Sequence, residues 1–152
     1  AALWLARDHA PDVLVLEVGL GGRLDAVNVI DADVAVVTTV GIDHVEYLGS
    51  DRDTIGCEKA GIYRPGRTAI CVDPDPPARL LAHAAAIGAP LCRLGHEFGH
   101  TPGADRWCWW GPGGVLEDLP QPALAGAHQY ANAAGAIAAL RLLPGPATRA
   151  QA

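Results

Sequence analysis

The sequence predicts an α/β fold in which a mostly parallel sheet is flanked by helices. Three observations predict it. Two continuous apolar runs, VLVLEV at 13–18 and DVAVVTTV at 33–40, have the texture of parallel strands buried on both faces. Two shorter runs, RTAICV at 67–72 and PLCRL at 90–94, each follow a helical pattern. Strands and helices alternating in this way are the signature of a parallel sheet with crossover helices.

Each element has a local reason. Glu17 and then Gly19 end the first run, and GIDH at 41–44 ends the second. Between Ser50 and Ile62 the pattern predicts a helix capped by Asp51 or Asp53, with Ile55, Ala60 and Ile62 on its apolar side and YRPG stopping it. PPARLLAHAAAIG, residues 76–88, opens with proline and closes with glycine, the usual asymmetry of a helix. From Gly95 to Pro120 the chain is rich in Gly, Pro and Trp, and reads as loops with a β-hairpin turning at GPGG, 111–114. AHQYANAAGAIAALRLL, 127–143, returns to strong helix formers.

Half of the 152 residues are hydrophobic, which suffices for one domain with a sizeable core and argues against disorder. The net charge of -6 and pI near 5.4 exclude phosphate-backbone binding as the main task, so no nucleic-acid partner is expected. Cys57, Cys71, Cys92 and Cys108 stand 14, 21 and 16 residues apart, a spacing that matches no zinc ribbon. They read as reduced thiols of a cytoplasmic protein, and no apolar run is long enough to span a membrane. The chain has no methionine, even at position 1, and opens in a helical texture. It is therefore expected to be a fragment, with residues 1–143 forming part of a domain and 144–152 a disordered end.

Several motifs bear on chemistry. EVGLGGRLDAVN places glycines directly after a strand-like run, but Leu24 stands where a dinucleotide fingerprint needs its third glycine. Glu17 and His44, with Asp43 beside it, lie at the ends of two apolar runs, where ligands of open α/β sheets collect. They make a plausible metal pair, against the alternative of capped or solvated residues. HEFGH at 96–100 matches the zincin pattern, which works only on a helix; Gly95, Gly99 and the following TPG argue against one. Asn132 either offers its amide to a ligand or caps the last helix. Lys59 is the only lysine among eleven Lys and Arg residues and follows Glu58, so these residues contain no G-x-x-x-x-G-K-[ST] phosphate loop.

LEVGLGGRLDAVNV, GIDHVEYLG, DRDTIGCEKAGIYRPG and HQYANAAGAIAAL together resemble the middle segment of the folylpolyglutamate synthase/dihydrofolate synthase family, part of the Mur ligase superfamily. The likeness covers most of residues 10–143 and is densest over 14–72. It implies a partial P-loop ATPase central domain that lacks its upstream phosphate loop, with the C-terminal ligase domain absent. It also implies an ATP-dependent ligase that adds L-glutamate to dihydropteroate, giving dihydrofolate, and further glutamates to reduced folates. The substrate carboxylate is activated as an acyl phosphate, and the protein works as a monomer. The alternative is a truncated, non-catalytic nucleotide- or pterin-binding remnant.

Carried over residue by residue, the resemblance makes Glu17 and His44 ligands of Mg2+, and makes Arg23, Leu24, Asp25 and Ala26 the stretch that meets dihydropteroate. It makes Asn132 the contact to the ATP base and Lys59 a carbamylated lysine. Only an amine can take up carbon dioxide and become a carboxylate; a guanidinium stays protonated, which explains a lysine at 59 in an arginine-rich chain.

Overall fold

The computed structural model describes residues 2–145, so most of the expected 144–152 end lies outside the described residues. In chain order the elements are α1 (Ala2–His9), a 3-10 helix (Ala26–Val29), β1 (Val34–Val37), α2 (Val45–Leu48), α3 (Arg52–Ala60), β2 (Thr68–Cys71), α4 (Ala78–Ala86), β3 (Leu91–Arg93), β4 (Gly99–Pro102), β5 (Arg106–Gly111), β6 (Gly114–Pro120) and α5 (His128–Leu142).

β1, β2 and β3 form a parallel sheet in that order, with Val34 opposite Thr68 and Ala69 opposite Leu91. Strand periodicity then sorts side chains to two faces. Ala69 and Cys71 join Ala35, Val37, Ile55, Leu80 and Ala84 in a core beneath α3 and α4. Ile70 and Val72 point the other way, into a second core with Phe98, Trp107, Trp109, Ala134 and Ala138. β2 is thus buried on both faces.

The second core is closed by α5 and by an antiparallel sheet ordered β4-β5-β6. α5 comes so near β2 that a Cβ on Gly135 would lie 2.5 Å from Val72 Cγ2. The buried indole of Trp109 donates to the Ala134 carbonyl at 3.1 Å, tying the helix to the sheet. The hairpin turn falls where GPGG predicts it, with Gly111 opposite Gly114. HEFGH is not helical: His96 lies in a turn, His100 on β4, and Glu97 accepts from the Arg93 backbone N–H at 2.8 Å. The two imidazoles share no helix face, which disposes of the zincin reading.

One expected strand does not form. Residues 13–18 carry no regular secondary structure and pair with no strand among the described residues, and Val15 is 87% exposed. Apolar character qualifies a run for a strand, yet a strand forms only where a neighbour receives its N–H and C=O groups. No helix among the described residues is long and apolar enough to cross a membrane.

Candidate functional site

The glycine-rich stretch after Glu17 folds into a loop whose shape Asp25 sets. One carboxylate oxygen accepts from Val27 N–H at 2.9 Å, capping the 3-10 helix, while the other accepts from Gly19 and Leu20 N–H at 2.9 and 3.1 Å. These backbone donors, Val27 first, hold the Asp25 carboxyl below the usual carboxylate range. Asp25 therefore builds the loop whatever else it meets. Leu24 next to it is an exposed apolar side chain.

α3 begins where Asp51 accepts from Thr54 N–H at 2.8 Å, so Asp51 and not Asp53 is the cap. Its far end meets the loop. Arg23 N–H donates to the Glu58 carbonyl at 2.9 Å, and Arg23 Nε reaches the Glu58 carboxylate at 3.1 Å. Two glycines permit this approach: a Cβ on Gly22 would sit 2.8 Å from the Lys59 carbonyl oxygen, and one on Gly61 only 2.4 Å from Arg23 Cβ. Lys59 itself is half-buried in the last turn of α3, and its side chain makes no hydrogen bond or ion pair among the described residues. The structure thus joins two motifs that lie more than thirty residues apart in sequence.

His44 caps α2 in the left-handed region, φ 50° and ψ 43°, an uncommon conformation for a residue with a Cβ. Its side chain makes no capping bond and is exposed; the Asp43 carboxylate instead accepts from His44 N–H at 2.7 Å. α2 leans on the glycine loop, since a Cβ on Gly21 would meet Leu48 Cδ2 at 2.7 Å. Glu17 is exposed at the end of the unpaired run. No group of three or more His, Cys, Asp and Glu side chains converges among the described residues.

Asn132 lies inside α5, four residues past its start at His128, so it is not the cap. Its Nδ2 donates to Gln129 Oε1 at 3.2 Å, and the rest of the amide is open on an exposed surface.

Four residues that sequence reasoning passes over hold this region together. Asp73, buried at the end of β2, accepts from Val40 N–H at 2.7 Å, Asp75 N–H at 2.9 Å and Arg52 Nη2 at 3.1 Å. Arg52 Nε in turn donates to the Val40 carbonyl at 2.9 Å, so this pair clasps the segment leaving β1 toward His44. The rule that singles out Glu17, a carboxylate at the end of an apolar run, applies equally to Asp73. Asn28 and Arg64 form the second clasp, which joins the 3-10 helix to the turn after α3.

The dihydrofolate synthase/folylpolyglutamate synthase of Escherichia coli is 47% identical over 141 residues, covering 93% of this chain and 32% of that protein. The chain is a homologue of these synthases. The solved E. coli FolC in complex with DHPP and ADP superimposes with a TM-score of 0.89 at 46% identity, over 95% of this chain and 34% of that one. The bifunctional folylpolyglutamate synthase/dihydrofolate synthase of Yersinia pestis, complexed with AMPPNP and Mn ion, gives 0.85 at 41% identity, over 95% and 34%. No family model matches the chain. This homologue spans about a third of the length of the synthases it matches.

Proposed function

We propose that this chain supplies part of the active site of an ATP-dependent, amide-forming ligase that joins L-glutamate to dihydropteroate and to reduced folates. The observation that carries the reading is the seating of the Arg23–Ala26 loop on the end of α3 beside Lys59. The complexes of the two solved relatives with ADP and DHPP, and with AMPPNP and Mn, support it.

In this reading Glu17 and His44 face a divalent cation, Mg2+ or Mn2+, which supplies charge neutralisation for the transferring phosphoryl group. The strained backbone of His44 favours a functional over a solvated reading, because such conformations concentrate at working sites. Imidazole suits manganese better than magnesium, while Glu17 suits both. The Nη atoms of Arg23, which make no hydrogen bond among the described residues, and the exposed side chain of Leu24 offer a charge and an apolar surface to a pterin substrate. Asp25 gives the loop its shape, Ala26 begins its 3-10 helix, and the open amide of Asn132 meets the nucleotide base. Lys59, whose amine has no partner among the described residues, adds carbon dioxide through its neutral amine, losing a proton, and becomes a carbamate.

The test is release of ADP by the full-length protein, dependent on both dihydropteroate and L-glutamate. Lys59→Arg is expected to abolish it, and full turnover by that variant would defeat the carbamate assignment. The 152-residue chain by itself is expected to release none. A remnant that binds nucleotide or pterin without turnover would show binding but no ADP release from the full-length protein.

A further inference from the structure

The loop that carries Arg23–Ala26 has two separate structural needs, a shape and a place. Asp25 provides the shape from within. The place comes from outside, through Asn28 and Arg64. Asn28 Nδ2 donates to two carbonyls at 3.1 Å, those of Arg23 in the loop and Gly61 at the end of α3. Arg64 Nη2 donates to the Asn28 carbonyl at 2.8 Å and to Asn28 Oδ1 at 2.9 Å. Arg64 Nη1 reaches the Gly61 and Tyr63 carbonyls at 3.1 Å, and its Nε is held by Asp31.

We propose that Asn28 and Arg64 are positioning residues that lock the Arg23–Ala26 loop to the helix end bearing Lys59, so that loop and lysine form one rigid unit. The proposal rests on the reading of that loop as the pterin-contacting stretch. Asn28 Nδ2 is committed to two carbonyls and its amide oxygen to Arg64, so both polar atoms of the side chain serve the bridge. Arg64 is engaged at all three of its nitrogens and is a half-buried residue. Neither belongs to the two hydrophobic cores, so their bonds fix the loop and not the sheet. The residue types are specific. An aspartate at 28 would set a carboxylate against the Arg23 and Gly61 carbonyls, and a lysine at 64 lacks the planar fork that bridges several acceptors.

The measurement is steady-state kinetics of the full-length protein with Asn28→Asp and Arg64→Lys. Asn28→Asp is expected to raise the KM for dihydropteroate about tenfold and to leave the KM for ATP within about twofold. Arg64→Lys is expected to act in the same direction by about threefold. A purely structural role would lower Tm without moving either KM, and that result overturns the proposal. So does failure of both variants to fold, since the bridge would then serve stability alone. Arg23→Ala and Leu24→Asp separate the two layers. If they change the dihydropteroate KM and Asn28→Asp does not, positioning fails; if none of them changes it, the reading of the loop itself fails.

Discussion

Residues 13–18 and 68–73 are alike in character, mostly apolar and ending close to a carboxylate, and they meet opposite fates. β2 has a parallel neighbour on each side and a core on each face, and Ala69, Ile70 and Cys71 are wholly buried. VLVLEV has no partner among the described residues and shows most of its apolar surface. The carboxylates diverge in step: Asp73 is buried among three donors, whereas Glu17 is exposed and uncommitted. A strand-end carboxylate surrounded by N–H groups becomes a clasp, and one left outside the sheet stays exposed.

The contrast can be broken most sharply at Ile70. Ile70→Ala removes a fully buried side chain between two paired strands and is expected to cost about 2–5 kcal/mol in urea unfolding. Asp73→Asn comes next at about 1–3 kcal/mol, because the amide oxygen can replace only one carboxylate oxygen while the NH2 faces another donor. Hydrogen exchange at the Val40 amide would show whether the clasp on the segment leading to His44 has opened.

Thiol chemistry gives a finer reading. Burial raises the pKa of the Cys71 thiol and pushes that of Cys92 to about 11, so both should resist iodoacetamide at pH 8 in the native chain. Cys57 and Cys108, each partly exposed, should be labelled first, and mass spectrometry of the labelled peptides checks the order. Early labelling of Cys71 would mean that β2 is not the protected strand.

Acid should loosen the loop and leave the sheet. Because the folded carboxyl of Asp25 titrates below its unfolded value, its contribution is complete above about pH 4 and fades as pH falls through the lowered folded pKa. NMR exchange of the Gly19, Leu20 and Val27 amides should accelerate in that window, while amides of β2 stay protected. Smallest of all, Val15→Ala is expected to change unfolding free energy by no more than about 0.5 kcal/mol, since nothing packs on an exposed side chain.

Much of this was legible in advance because it depends on local chemistry. Asp51 before the helix, Pro77 and Gly88 around α4, and GPGG between β5 and β6 each act on neighbours within a few residues. β4 was not legible as a third strand of the hairpin sheet, since GHTP contains a glycine and a proline and draws its order from Trp107–Trp110 across the ladder. Asn28, Arg64 and Asp73 escaped notice because their partners stand 21 to 36 residues away.

By itself, then, the sequence determined the Asp51 cap, the ends of α4, the GPGG turn, the cysteines' lack of zinc spacing and the single lysine at 59. Tertiary structure decided which apolar run became a strand, which carboxylate became a clasp, and that the glycine loop rests on the end of α3. The reason is physical. Propensity and capping are settled by bonds within a turn or two, whereas a strand, a buried carboxylate and a close glycine contact exist only when distant segments arrive to complete them.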